Sequence, residues 1–133
     1  MTRQVVRFRA GEGRYAVPVE HAQHVLSPKG ITQLPSGRPD VAGLLDIDGR
    51  ALTVFTTLGS GRRHVLVLGE DRPRLGLLVA EVEGIERVDQ AEVGSPPGGQ
   101  RAPFVWGVIA SPEGMVLLID ADTLAQTLRA EMT

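Results

Sequence analysis

The stretch that decides how this chain folds runs from Val41 to Val54 and reads VAGLLDIDGRALTV. Apolar side chains occupy both of its halves, and the dipeptide Asp48-Gly49 lies between them. An Asp-Gly pair between apolar runs is typical of a tight turn joining antiparallel strands, because both residues tolerate a positive φ. The stretch therefore predicts a β-hairpin, with one strand at 41–47 and its partner at 50–56.

Similar pairs of short apolar runs occur on both sides of this hairpin, separated by turns that contain glycine or proline. Runs rich in valine and leucine, bounded by such residues, favour strands. The further predicted pairs are Gln4–Arg9 with Arg14–Val19, His64–Leu68 with Leu75–Val79, and Val105–Ala110 with Met115–Ile119. Short strands at this spacing predict a sandwich or small barrels, since sheet edges must be closed or protected.

Helix signals are few. The segment Glu20–Leu26 is long enough for one or two helical turns. The segment Asp120–Met132 has a stronger pattern, because an aspartate at its start can cap a helix and Leu124 and Leu128 stand four residues apart on one face. The segment Gly94–Pro103, rich in glycine and proline, predicts a mobile loop.

Composition limits the class of protein. The 133 residues are 42% hydrophobic and 23% charged, which indicates one globular domain. The net charge of -2 does not favour a nucleic-acid surface. The absence of cysteine excludes disulfides, thiolate zinc sites and a cysteine nucleophile. No apolar run reaches the roughly 20 residues of a membrane helix, and the N-terminus lacks a signal-peptide stretch, so we expect a soluble cytoplasmic protein that is not membrane-inserted.

Two groups of residues resemble fragments of metal sites. His21 and His24 are three residues apart and would face the same way on a helix, yet no third ligand follows nearby. The sequence Asp46-Ile47-Asp48-Gly49 resembles part of a calcium loop, but that register puts Leu44 and Phe55 where acidic ligands are required. We therefore expect no metal, with His21 and His24 as surface or boundary residues and the two aspartates solvated beside a turn.

Catalysis and nucleic-acid binding are also disfavoured. The segments Gly11–Gly13 and Gly59–Arg63 do not match a phosphate-binding loop, and no serine or threonine lies in a nucleophile elbow. Single-strand binders need stacking aromatics in a basic groove, whereas Phe8, Tyr15 and Phe55 lie within strand patterns and are expected in the core. The function is therefore expected to reside in an apolar surface that another protein covers.

Taken in order, these segments resemble the CheW-like domain family, which includes chemotaxis coupling proteins and the C-terminal part of CheA kinases. The resemblance runs from about Phe8 to Leu128. Residues 41–54 stand where the family has the pattern V-x-G-x-x-N-L-R-G-x-x-x-P-V. The other matching segments are Phe8–Val19, Ile31–Pro35, Leu75–Ile85, and Val108 with Gly114–Asp120.

The resemblance implies a mainly β fold of two small SH3-like five-stranded β-barrels, packed as a single CheW-like domain over residues 1–133, with a C-terminal helix. It also implies a non-enzymatic adaptor without cofactor, which couples the cytoplasmic tip of a chemoreceptor to a CheA-like histidine kinase. Carried over position by position, the candidates for the receptor groove are Val19, Ala22, Gly43, Asp48, Gly49, Val82 and Ile85. Barrel core remains an alternative role for Val82 and Ile85, and backbone geometry for both glycines.

The chain departs from the family pattern in its charges. Asp46 and Asp48 stand in place of the asparagine and arginine of N-L-R-G, and an anion in place of a cation reverses local complementarity. The other departures are Thr53 and Thr56 at the family's proline and aspartate, Ala80 at a later aspartate, and Ala22 at a larger aliphatic residue. Two accounts stay open: the protein couples an atypical receptor and kinase, or it has lost receptor binding and acts on a kinase or another partner in a non-flagellar pathway. A single-stranded nucleic-acid-binding barrel is a remote third.

Overall fold

The structure is a computed structural model that describes residues 1–34, 38–96 and 102–132, with side chains to 129. The strands are β1 (Thr2–Ala10), β2 (Gly13–Pro18), β3 (Ala22–Leu26), β4 (Val41–Ile47), β5 (Arg50–Phe55), β6 (His64–Leu68), β7 (Leu75–Val79), β8 (Glu81–Asp89), β9 (Val105–Ser111) and β10 (Gly114–Ile119). The helix α1 (Ala121–Met132) follows β10. Short 3₁₀ helices lie at Val19–His21, Pro28–Gly30 and Gln90–Glu92.

The strands form two five-stranded sheets with the same arrangement. The first has the order β8-β1-β2-β10-β9, and the second has the order β3-β6-β7-β5-β4. Each sheet has one parallel pair, β2 with β10 and β7 with β5, flanked by antiparallel pairs. The second sheet is built from consecutive strands, whereas the first combines β1 and β2 with β8 to β10. The mainly β fold of two five-stranded units with a C-terminal helix is thus confirmed.

A backbone bridge joins the two edge strands of each sheet. Thr32, which follows β3, pairs with Leu44 of β4 through N–O distances of 2.8 and 2.9 Å. Gly94, which follows β8, pairs with Val108 of β9 through N–O distances of 2.8 and 3.0 Å. Each bridge brings the edges of its sheet together and occupies backbone groups that an edge would otherwise leave unpaired.

The bridge between Thr32 and Leu44, which we call the seam of the second sheet, requires glycine at position 43. Gly43 is buried and has a φ of 152°. A Cβ built on it would lie 2.3 Å from the carbonyl oxygen of Thr32, far inside contact distance. Gly43 therefore serves the closure of the second sheet, which supports its interpretation as a residue of backbone geometry.

Both faces of the second sheet are buried, which explains why strands such as β6 consist of nearly continuous apolar residues. Along β6, Leu66 and Leu68 enter a cluster between the two sheets, whereas Val65 and Val67 enter the interior of the second sheet. Strands covered on both faces read as continuous apolar runs. The cluster between the sheets, which we call the central cluster, comprises Val6, Phe8, Ala10, Val17, Phe55, Leu66, Leu68, Leu75, Leu77, Val79, Ile119, Ala121, Leu124, Ala125 and Leu128.

Helix α1 covers the central cluster, as its apolar spacing predicts. Leu124 and Leu128 are buried there. Asp120 caps the helix, because its Oδ1 accepts a hydrogen bond of 2.9 Å from the backbone N–H of Thr123. A second acceptor comes from His21, whose Nδ1 lies 3.3 Å from the backbone nitrogen of Ala121. The start of the helix is thus tied to the 3₁₀ helix that precedes β3.

Three segments of the chain, at 20–26, 81–89 and 94–103, were not fully predicted from the sequence. The helical turns expected at Glu20–Leu26 are limited to the 3₁₀ helix that ends at His21. From Ala22 onward the segment is β3, because pairing with β6 overrides weak local helix signals. The sequence analysis did not predict the strand β8. Of the predicted loop Gly94–Pro103, residues 97–101 lie outside the described residues, and Gly94 itself forms the bridge to Val108.

We predict that Gly43→Ala lowers the free energy of unfolding by about 3 kcal/mol or more, since the new methyl group meets the carbonyl of Thr32 at the seam. Gly114→Ala is the matched control. Gly114 also has a positive φ, 126°, but nothing lies within 4 Å of its added Cβ. Urea unfolding of both variants measures the difference, and equal losses would contradict a steric role for the seam.

Candidate partner-binding surface

Val82 and Ile85 lie on the side of the first sheet that faces the second. In the β1–β8 register Val82 is opposite Phe8, and Ile85 is opposite Val6. Residues directly opposite on antiparallel strands project to the same face of a sheet. Because Phe8 and Val6 belong to the central cluster, Val82 and Ile85 extend that apolar face to the edge strand.

The edge strand β3 makes the corresponding extension on the second sheet. Ala22 is opposite Leu68, and Val25 is opposite Leu66, and both leucines belong to the central cluster. Side chains three apart on a regular strand face opposite ways. A register irregularity between Ala22 and His24 restores them to the same side, as a bulge does.

These residues range from half-buried to exposed. Val19, Ala22 and Val82 are half-buried and pack against the central cluster. Ile85 is 63% exposed and Val25 is 49% exposed. We call these five residues the inter-sheet surface. Its half-buried members are continuous with the core, while the side chains of Val25 and Ile85 are largely exposed to solvent.

Val25 is a member that the sequence analysis missed. Interpreting Glu20–Leu26 as helical turns left its side chain without a defined face. The bulge that turns it toward the inter-sheet surface follows from pairing with β6, a strand about forty residues later in the chain. The only sequence signal is its apolar type beside the polar Gln23 and His24.

Contacts next to the inter-sheet surface hold the two sheets together. The carboxylate of Glu81 on β8 lies 3.3 Å from Arg63, just before β6 of the second sheet, and 3.5 Å from Arg9 of the neighbouring strand β1. The backbone N–H of Ala80 donates a 2.9 Å hydrogen bond to the carbonyl of Arg9. Such exposed ion pairs contribute at most about 1 kcal/mol each, so the backbone bond and the apolar layer dominate.

Tyr15 and the glycine-containing loops add further links. The hydroxyl of Tyr15 donates a 3.0 Å hydrogen bond to the carbonyl of Leu58, and its ring stacks on Phe8 with centroids 5.6 Å apart. Burial raises the pKa of Tyr15, which keeps the hydroxyl protonated as a donor. The N–H of Gly11 donates to the carbonyl of Ser60 at 2.6 Å. The two glycine-containing segments are therefore loops, one in each sheet, and the hydrogen bond between them links the sheets.

The turn between β4 and β5 has the geometry that its sequence predicts. Asp48 has a φ of 50° and Gly49 a φ of 82°, and both residues are exposed. Asp46 is exposed as well, but it is not simply solvated: its Oδ1 accepts a 2.9 Å hydrogen bond from the N–H of Gly49. An asparagine, the residue of the family pattern, carries the same acceptor, so aspartate at this position preserves the turn.

The candidate groove residues thus lie at three different locations in the structure. Val19, Ala22, Val82 and Ile85 belong to the inter-sheet surface, whereas Gly43 lies at the seam of the second sheet. Asp48 lines a different concavity, between β5 and α1. The charge reversal in the N-L-R-G pattern is therefore separate from the apolar residues of the inter-sheet surface.

The histidines do not form the pair that a helix would give. His21 is buried, and its Nδ1 accepts a hydrogen bond from the backbone N–H of Ala121, so it is not a surface residue, whereas His24 is exposed on β3. Among the side chains that the structure describes, in residues 1–34, 38–96 and 102–129, no three His, Asp or Glu side chains group closely enough to hold a metal ion. In the same ranges no helix has the length and apolar character to cross a membrane.

Comparison with known proteins identifies the family. The model of the CheW-like domain matches residues 4–129, so the chain belongs to the CheW-like domain family. It is 24% identical over 134 aligned positions to a chemotaxis protein CheW of Rhizobium meliloti (strain 1021), covering 92% of this chain and 86% of that one. The scaffolding protein TtCheW of Thermoanaerobacter tengcongensis has the same fold, with a TM-score of 0.76, 20% identity, and coverage of 90% and 85% of the two chains.

We predict that Asp46→Ala lowers the free energy of unfolding by about 1 kcal/mol, because the N–H of Gly49 loses its acceptor. Asp46→Asn keeps the acceptor and is expected to change stability by less than about 0.5 kcal/mol. Asp48→Asn is the control for charge, since asparagine also tolerates a positive φ. Chemical unfolding tests the set. A loss as large for Asp46→Asn as for Asp46→Ala would show that charge matters here and the hydrogen bond does not.

Proposed function

We propose that this protein is a non-enzymatic adaptor of a chemotaxis-type signalling pathway. As a single cytoplasmic domain it couples the cytoplasmic tip of a chemoreceptor to a CheA-like histidine kinase. Family membership over residues 4–129 supports the class of function. The observation that carries the proposal is the exposure of Val25 and Ile85 at the two edges of the central cluster.

The chemistry of the inter-sheet surface suits a helical partner. An amphipathic helix presents apolar side chains at intervals of three or four residues, which can cover Val25, Ile85 and the half-buried residues between them. Each square ångström of apolar area removed from water stabilises the complex by about 25 cal/mol, before the cost of association is counted. The tip of a chemoreceptor, as a helical hairpin, has this form.

Charges near Ile85 add selectivity. A shallow cavity of about 370 Å³ is lined by Ile85 together with the acidic residues Glu83, Glu86 and Glu113. Its cation, Arg7, already forms a 2.8 Å ion pair with Glu86. The surroundings of Ile85 are therefore acidic, which favours a partner with basic residues beside its apolar anchor and disfavours nucleic acid.

The structure also bears on the two open accounts. Asp48 replaces the arginine of the family pattern, but it lies in the concavity beside α1 and not among the apolar residues of the inter-sheet surface. The altered charge therefore leaves the proposed receptor surface intact. We favour retained receptor binding over its loss, with the kinase's own CheW-like domain bound at an end of one five-stranded unit.

We predict that Ile85→Asp weakens binding to a chemoreceptor cytoplasmic fragment by about tenfold or more, because a carboxylate replaces an apolar anchor in an acidic region. The matched control is Met115→Asp. Met115 is 54% exposed on β10 and is not part of the inter-sheet surface. Isothermal titration gives the affinities, and thermal melts of both variants show that the fold is retained.

Titration with the CheW-like domain of the kinase from the same cell separates the two halves of the proposal. We expect Ile85→Asp to bind this domain as the wild type does. Unchanged receptor affinity in Ile85→Asp would remove the inter-sheet surface from the receptor site. Absence of kinase binding by the wild type would contradict the coupling role.

A further inference from the structure

A cavity outside the inter-sheet surface carries a concentration of positive charge. Its volume is about 510 Å³, and it lies between β5, the residues 72–75 that lead into β7, and helix α1. Four arginines, Arg50, Arg72, Arg74 and Arg129, are among the residues that line it, and Asp48 is the single acid among them. The whole chain has a net charge of -2, so this local excess is not a property of the average surface.

Most of these guanidinium groups have no partner among the side chains and backbone groups that the structure describes. No hydrogen bond or ion pair connects Arg50, Arg72 or Arg129 to any residue of the described ranges. Arg74 has only a long contact of 3.7 Å with Asp71, whose side chain is 76% exposed. The Nε of Arg74 is buried and has no acceptor. A buried donor without an acceptor is costly, so an external anion that accepts from it would gain accordingly.

The floor of the cavity is apolar. Alternation along β5 turns Ala51, Thr53 and Phe55 toward the same side, because Leu52 and Val54 enter the interior of the second sheet. Leu75 and Ala125 complete the floor and are almost fully buried. An apolar floor with a few charged groups at its rim is the usual construction of a small-molecule site, and such sites occupy about 300–1,000 Å³.

We propose that this cavity binds a small organic phosphate. The planar guanidinium group donates two parallel hydrogen bonds to a phosphate, and several arginines together suit a ligand with more than one negative charge. The organic part of the ligand lies on the apolar floor. Asp48 lies in the hairpin turn at one end of the cavity, where its carboxylate repels the phosphate and directs it toward Arg72, Arg74 and Arg129.

The test uses the full chain with ADP as the probe for an organic diphosphate and inorganic pyrophosphate as the probe for the anion alone. We expect ADP to bind, and to bind more tightly than pyrophosphate because only ADP contacts the floor. We also expect the affinity for ADP to fall as salt is raised from about 0.05 to 0.3 M. We expect Arg74→Gln and Arg129→Gln each to reduce ADP affinity about tenfold.

The control variant is Arg87→Gln. Arg87 is exposed on β8 of the other sheet and does not line the cavity, so this variant removes the same charge elsewhere. Arg129 is exposed on α1, so its variant remains informative if Arg74→Gln unfolds. Three results would overturn the proposal: no binding of ADP, equal loss in Arg87→Gln, or equal affinity for ADP and pyrophosphate. Binding of a glutamate-rich peptide without binding of ADP would assign the cavity to a protein partner and would also overturn it.

Discussion

Burial of one apolar layer between two sheets is the constraint on which the rest of the molecule depends. Phe8 from the first sheet and Leu66 and Leu68 from the second meet there, and α1 closes it with Leu124 and Leu128. Because β1 and β6 each use both faces, the same strands also fill the interiors of their own sheets. The two five-stranded units therefore cannot separate without exposing the centre of the core.

The proposed receptor surface is the outer margin of that layer. Val19, Ala22 and Val82 pack on the central cluster, and Val25 and Ile85 continue it into solvent. A substitution in the cluster will therefore disturb partner binding and stability together, whereas a substitution at Ile85 separates them. The arginine-lined cavity lies at another margin, between β5 and α1, so the two proposed sites differ in charge and share no residue.

Local sequence signals predicted much of this fold. The Asp48-Gly49 turn, the strands at 64–68 and 75–79 and the capped helix α1 depend on neighbours in the chain, and the structure has them as expected. β3 and β8 depend on pairing with distant strands: β3 carries weak helix signals, and β8 is mostly polar and exposed and contains Gly84. The same dependence hid the position of Val25 and the grouping of arginines from three separate elements. The bond from Gly49 to Asp46 is local, but the sequence predicted only a solvated carboxylate there.

Hydrogen exchange with and without a chemoreceptor cytoplasmic fragment tests the central claim most directly, because the inter-sheet surface lies along two edge strands whose backbone amides report contact. At saturating fragment, the account predicts slowed exchange in β3 and β8 and little change in the β9–β10 hairpin, on the far edge of the first sheet. Saturable binding that leaves exchange in β3 and β8 unchanged would contradict the account.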